Sequence, residues 1–322
     1  MDIEFLLILQ NFRNMTNNFL TPFMECISLF AITYLIMVPA LVYWIYDKRK
    51  GIFTFANYCL VVGVNAVVKL TACIYRPWIR DPRVLPAGDS IRTATGYSFP
   101  SGHVATAGPF YLGMATSFFK EKRWFSITCL TLLFLTAFSR NYLGVHTPQD
   151  VFIALCESIL GVYIMSKIFA YLKEHPEKEN LFLILEFLLG VVSLVYIHYK
   201  PYPMDYVNGE LIVDPQEMMN DGYGDLATMM AFPLARYIEK TWIKFKPLGI
   251  NKTGIITGIC FVAVYAVFII YCEPALINAI GSHWGKFVFN FAKILLIFAL
   301  LPAVIKLITY YKEKKEEGEI IQ

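Results

Sequence analysis

Nine apolar runs follow one another along the chain, at roughly 23–46, 52–68, 104–119, 124–138, 151–170, 181–197, 226–238, 254–271 and 288–307. A helix needs about 20 apolar residues to cross the hydrocarbon of a bilayer. No water is available there to satisfy the backbone, so runs of this length have to become helices. The pattern predicts an all-α, polytopic membrane helical bundle. The seventh run carries Pro233 and Arg236, which predicts a kinked, tilted or partly inserted segment. Composition agrees: the 322 residues are 57% hydrophobic and 16% charged, with a mean hydropathy of +0.52. Soluble domains run near ~45–50% and ~25%. A disordered chain and a small disulfide scaffold are excluded. A net charge of +3 gives no nucleic-acid footprint, so no nucleic-acid partner is expected. The seven cysteines form no C-x-x-C pair and read as small buried hydrophobes, with no metal-ligand spacing.

Basic residues orient the runs. They sit in every second connection: Lys48, Arg49 and Lys50; Lys120, Lys122 and Arg123; Lys173 and Lys178; Lys240, Lys244, Lys246 and Lys252; and the tail from 310 to 317. These ends should be cytoplasmic. The alternate connection 199–225 is acidic, with Asp205, Glu210, Asp214, Glu217, Asp221 and Asp225. It lies on the same side as the motif groups and reads as a solvated extracytoplasmic loop, with Asp221 or Asp225 near a helix N-terminus, the alternative being a lid or a substrate-selecting loop. Nine spans put the N-terminus outside and the C-terminus inside. The first residues open with acids and lack a small-residue cleavage site, so they do not read as a signal peptide. Phe5, Leu6, Leu9 and Phe12 predict an amphipathic helix on the membrane surface. Glu157 and Glu186, inside the fifth and sixth runs, read as helix-packing hydrogen-bond partners.

Three groups of polar residues break the apolar pattern at the opposite, outer ends of the spans. Lys69, Arg76 and Pro77 close the second. Pro100, Ser101, Gly102 and His103 open the third. Ser139, Arg140, His146 and Asp150 lie between the fourth and fifth. The chain descends from 104, turns at the basic 120–123 and returns by 138, so His103 and Arg140 finish at one membrane face. Lys69 and Arg76 reach that face by the same alternation. Three cations can surround one oxyanion, and guanidinium forks match phosphate oxygens. Ser101 and Gly102 at a helix start add backbone N–H donors. Two histidines and one carboxylate supply a nucleophile, its orienting partner and an acid. Charges at such depth are costly unless functional.

The combined pattern K-x6-R-P, P-S-G-H and S-R-x5-H-x3-D resembles the three-part signature of the type 2 phosphatidate phosphatase family, within the acid phosphatase/vanadium haloperoxidase superfamily. The resemblance covers about residues 50–170. It implies that His146 is the nucleophile that forms a phosphohistidine, that Asp150 holds the His146 ring, and that His103 protonates the leaving group. It implies that Lys69, Arg76, Ser101, Gly102 and Arg140 hold the phosphoryl oxygens, with Pro77, Pro100 and Ser139 in support. No metal and no cofactor are implied, and the motifs show no carboxylate cluster.

The expected organisation is an interfacial helix over 1–20, a six-helix phosphatase core over 21–198 and an extracytoplasmic loop over 199–225. About three additional helices and a basic cytoplasmic tail follow over 226–322. The expected activity is hydrolysis of a lipid phosphate or diphosphate at the extracytoplasmic face, the bilayer and the phosphorylated lipid being the partners. The alternatives are a phosphotransferase using the same intermediate, a hydrolase of soluble phosphate esters, and a non-catalytic phospholipid binder or transporter. High Ile, Lys and Tyr content fits a bacterial plasma membrane.

Overall fold

In the computed structural model, which describes residues 2–316, the chain is an all-α bundle with one small hairpin. The helices are α1 (Asp2–Met15), α2 (Thr21–Thr33), α3 (Met37–Leu41, continued by a π turn to Tyr46), α4 (Lys48–Ala72) and α5 (Pro77–Arg80). Next come α6 (Gly102–Phe118), α7 (Arg123–Tyr142), α8 (Pro148–Glu174) and α9 (Glu179–Tyr199). A two-residue hairpin, β1 (Tyr206–Val207) with β2 (Glu210–Leu211), leads to α10 (Pro215–Ile238), α11 (Lys252–Ile280), α12 (Ser282–Leu295) and α13 (Leu301–Glu316). Residues 317–322 of the predicted basic tail lie outside the described residues.

Five helices among the described residues are long and apolar enough to cross a membrane: 48–80, 148–174, 176–199, 252–280 and 282–314. The first predicted span becomes a sixth only if the pair 21–33 and 37–46, bent by 46°, counts as one. The protein is therefore an integral membrane protein, with fewer qualifying helices than the nine apolar runs. The physical reasons are local. Helix α6 has only 17 residues, α7 ends in Arg140, Asn141 and Tyr142, and α10 carries Asp221, Asp225 and Arg236.

Helix α4 is the central rod. Of its apolar window, 72% is buried, against 17% for α11 at the periphery. Its start is fixed by Asp47, whose carboxylate accepts from the backbone N–H of Arg49 and Lys50. Leu70 faces Gly222, Gly63 faces Met229 and Lys48 pairs with Glu239, so α10 runs antiparallel to α4. A Cβ at Gly222 would lie 2.5 Å from Leu70 Cδ1, and one at Gly161 of α8 2.4 Å from Val61 Cγ2. Small residues at these crossings let the backbones approach, as in other membrane helices. An aromatic cluster fills the middle: Phe55 meets Phe298 at 4.6 Å and Tyr58 stacks on Phe110 at 4.2 Å between ring centroids. Trp44 donates to the Ile297 carbonyl at 2.9 Å. Leu188 and Val192 on α9 and Ile259, Val267 and Ile270 on α11 point outward, an apolar surface suited to lipid.

Several expectations change here. The 199–225 segment is not a loop throughout, because α10 begins at Pro215, capped by the Asp214 carboxylate. Asp221 and Asp225 therefore lie on the second and third turns of a helix, not at its N-cap. Helix α10 continues through Pro233 and buries most of its residues against α4, α9 and α12. Helix α1 is not simply laid on a membrane surface. It docks on residues 80–85 through Arg80–Asp2 and Arg83–Glu4, both 3.1 Å, and through Gln10, which accepts from the Leu85 N–H at 2.7 Å. Its Arg13 is buried and donates to the carbonyls of Tyr142 (2.5 Å) and Leu85 (2.6 Å). Glu157 accepts from Asn65 Nδ2 at 2.7 Å as expected. Neither oxygen of buried Glu186 has a hydrogen-bond partner among the described residues. Cys26, Cys156 and Cys260 are exposed on the outer surface instead of buried.

Candidate active site

The three motif groups meet at the C-terminal end of α4. Lys69, in its last turn, is held by two carbonyls, donating to Tyr97 O at 3.2 Å and to Pro100 O. Arg76 follows the end of α4. It donates through Nε to Gly96 O (2.9 Å), through Nη2 to Thr95 O (2.6 Å) and through Nη1 to Val145 O (3.0 Å). The same Nη1 lies 2.9 Å from His146 Nε2. Since a guanidinium only donates, His146 Nε2 is the acceptor and the ring proton belongs on Nδ1. Nδ1 lies 3.5 Å from Asp150 Oδ2.

Asp150 owes its position to a capping box. Thr147 Oγ1 accepts from the Asp150 N–H while the Asp150 carboxylate accepts from the Thr147 N–H at 2.8 Å, with Pro148 in the first turn of α8. The same oxygen accepts from Ser98 Oγ at 2.6 Å. Ser98 was not singled out in the sequence; its only signal was a position two residues before P-S-G-H. The Asp150 backbone carbonyl accepts from the Ser101 N–H at 3.0 Å, tying the second motif group to the third. Gly144, at φ +75°, turns the chain between Arg140 and His146, where any Cβ would be strained.

Helix α6 starts at Gly102 with no side-chain cap. A Cβ at Gly102 would meet no atom within 4 Å, so open space lies beside the start of the helix. That space is a cavity of about 300 Å³ reached by Lys69, Arg76, Gly102, His103 and His146. Fully buried Arg140 lies behind it, with Nη1 on Ser28 Oγ. Pro77 begins α5, and Ser139 Oγ turns back to the Thr136 carbonyl at 2.7 Å within α7.

Twelve buried side-chain polar atoms lack a hydrogen-bond partner among the described residues. Five of them are here: Ser101 Oγ, His103 Nε2, Arg140 Nε and Nη2, and His146 Nδ1. Unpaired buried donors are costly, and a cluster of them marks a place built for a ligand's acceptors. His146 lies in the turn before α8. Burial pushes its imidazole well below the ordinary histidine value, and the charges of Arg76, Arg140 and Lys69 push it the same way. Both effects favour the neutral ring, whose Nε2 lone pair faces Arg76 Nη1.

The opposite wall was not foreseen. Asp221, Asp225 and Gly224 of α10, Glu273 of α11, and Lys286, Asn290 and Lys293 of α12 line the same cavity. The expectation of no carboxylate cluster near the motifs is thus corrected: packing of α10 and α11 brings three more carboxylates to the site. Asp221 pairs with Lys286 at 2.6 Å and accepts from Thr95 Oγ1. A second hollow of about 450 Å³ opens alongside, lined in part by Tyr75, Trp78, Ile91 and Met218, and shares Arg76, Thr95 and Lys286.

Comparison with curated proteins and with solved structures finds no match. Among protein families, the sequence model of the PAP2 superfamily matches residues 50–174, a stretch that runs from the start of α4 to the end of α8. That stretch contains all three motif groups, and over it the chain is similar to the PAP2 superfamily, a likeness that points to a phosphatase-type function.

Proposed function

We propose that the protein hydrolyses a lipid monophosphate or diphosphate at the extracytoplasmic face of a bacterial plasma membrane, through a phosphohistidine on His146. The observation that carries this reading is the His146 ring: an unprotonated Nε2 accepting from Arg76 at 2.9 Å, Asp150 behind Nδ1 at 3.5 Å, and a cation-lined cavity in front.

Lys69, Arg76, Arg140 and the first N–H groups of α6 hold the phosphoryl oxygens, where fixed donors stabilise the charge that develops in the transition state. His146 Nε2 attacks phosphorus as the bond to the leaving oxygen breaks, and His103 gives that oxygen a proton. The Asp150 carboxylate offsets the charge on the imidazolium. Water then attacks phosphorus as the P–Nε2 bond breaks, giving a proton to His103, releasing phosphate and restoring His146. Fixed cations supply the electrostatics, so turnover should persist in a chelator. The exposed apolar faces of α9 and α11 support a lipid substrate, whose tail stays in the bilayer while its headgroup enters the site. The outward orientation is supported by the basic connections at the far end of α4.

The test is phosphate release from lipid phosphates in mixed micelles by purified protein and by His146→Ala. A fall of about 10³-fold or more is expected, together with loss of acid-labile phosphate trapped on the protein. Undiminished release by the variant overturns the assigned nucleophile. Equal turnover of short soluble esters overturns the lipid reading.

A further inference from the structure

The cavity has two walls of opposite character. On the motif wall, Lys69 and Arg76 carry positive charge beside two histidines, and Arg140 adds a third cation behind. On the far wall, Asp221 and Asp225 are four residues apart on α10, and Lys286, Asn290 and Lys293 follow at i, i+4 and i+7 on α12. Those spacings place each set on one helix face, and the two faces meet closely. A Cβ at Gly224 would lie 2.6 Å from Asn290 Nδ2.

The far wall is unevenly neutralised. Its three carboxyl groups, Asp221, Asp225 and Glu273, stand against two ammonium groups, Lys286 and Lys293. Asp221 is occupied, bound by Lys286 and Thr95. Lys293 donates to Asn290 Oδ1. Asp225 and Glu273 make no hydrogen bond or ion pair among the described residues, although both line the cavity. Two uncommitted carboxylates that face a phosphate site across about 300 Å³ accept hydrogen bonds and repel anions.

We propose that Asp225 and Glu273 form a headgroup subsite that selects a phosphomonoester with hydroxyl or ammonium donors on its alcohol and rejects a diphosphate. The selection rests on the phosphatase reading above and narrows it. With one phosphoryl group on Lys69, Arg76 and Arg140, the second phosphate of a diphosphate faces Asp225 and Glu273. A hydroxyl or ammonium in the same place donates to them. Specificity here comes as much from the repulsive element as from the attractive one.

The experiment compares kcat/KM for a prenyl monophosphate and the diphosphate of the same prenyl alcohol in mixed micelles, so that the tail is constant. A third substrate, a long-chain amino-alcohol monophosphate, supplies the donors. Wild-type protein should favour the monophosphate by about tenfold or more, the scale of a like-charge clash, and should favour the donor-bearing substrate further. In Asp225→Asn/Glu273→Gln the preference for monophosphate over diphosphate should fall about tenfold. Glu273→Gln alone, at a partly exposed position, should move the ratio the same way and guards against misfolding of the double variant. Equal or better wild-type turnover of the diphosphate overturns the subsite, and so does an unchanged ratio in both variants; either result leaves the phosphatase reading standing. No phosphate from any substrate overturns the phosphatase reading and the subsite with it.

Discussion

Two buried charge clusters sit at opposite ends of α4, separated by about 30 Å of helix, and they are built differently. At the basic end, Lys48 pairs with Glu239 and donates to Phe245 O at 3.0 Å. Arg236 binds Glu239 at 2.5 Å and Glu179 at 2.9 Å, and Lys240 binds Glu179 at 2.9 Å. Every charge there has an opposite partner. At the other end Lys69, Arg76 and Arg140 have no carboxylate partner within ion-pair distance among the described residues. Arg140, fully buried, leaves two donors unused. The motif end is the more deeply buried of the two and yet the less saturated. The saturated cluster fastens α4, α9 and α10 together, and the unsaturated one has the donors that the proposed phosphate would fill. A charge network marks a binding site by what its members lack.

The sharpest way to break this contrast is Arg140→Leu. Phosphate release should fall about 10²–10³-fold, the effect of losing a transition-state donor. The thermal midpoint in detergent should hold or rise, because an unpaired buried cation has been removed. Lower stability with full activity would put both clusters in one class. Glu239→Gln is the converse. It should lower unfolding free energy by about 3 kcal/mol, as for a broken buried pair, while the folded fraction keeps its kcat/KM. An activity loss without destabilisation would reverse the assignment. A smaller effect is expected at Arg13, which joins Tyr142 O and Leu85 O and so fixes the segments bearing Arg140 and Arg76. Arg13→Met should reduce kcat about tenfold with little change in KM, the pattern of a displaced catalytic geometry, and Arg13→Lys should recover part of it. The finest test is the pH profile. The nucleophile proposed above requires a neutral His146, whose pKa is depressed by burial and neighbouring cations. The acid limb of kcat/KM, which reports free-enzyme groups, should therefore fall below the ordinary histidine value of about 6.5. A limb at or above that value contradicts the depressed pKa. In Arg140→Leu the limb should move up toward it.

How legible each part was in the sequence follows from the range of its interactions. The three motif groups could be read because each is a short segment at the end of an apolar run, where the cost of charge makes a residue conspicuous. The helical class followed from run length alone. The far wall was hidden because it is a product of packing: nothing local says that α10 and α12 will face α4. A signal was present in the polar spacing of Lys286, Asn290 and Lys293, and in Asp221 and Asp225. It was masked because acidic residues following an acidic connection look solvated. Arg13 was hidden for a related reason. In a helix with an apolar stripe a single arginine looks like a snorkelling residue, and only the fold reveals that its partners are carbonyls 72 and 129 residues away. The nine runs exceed the qualifying helices because α6 is short and α7 and α10 carry polar or charged residues that an apolar run does not reveal.

The bridge from Asp221 to Thr95 has an architectural consequence. Thr95 also offers its carbonyl to Arg76, so the late helices hold the early motif loop in place through a single residue. A chain cut after Tyr199 would keep every signature residue and still lose one side of its reaction chamber, together with the helix that covers α4. The signature segment is thus not a portable module. Transplanting it between proteins, or fusing it to foreign helices, should fail unless the α10–α12 pair travels with it, and evolution of substrate range in such a protein can proceed by changing helices that carry no motif at all.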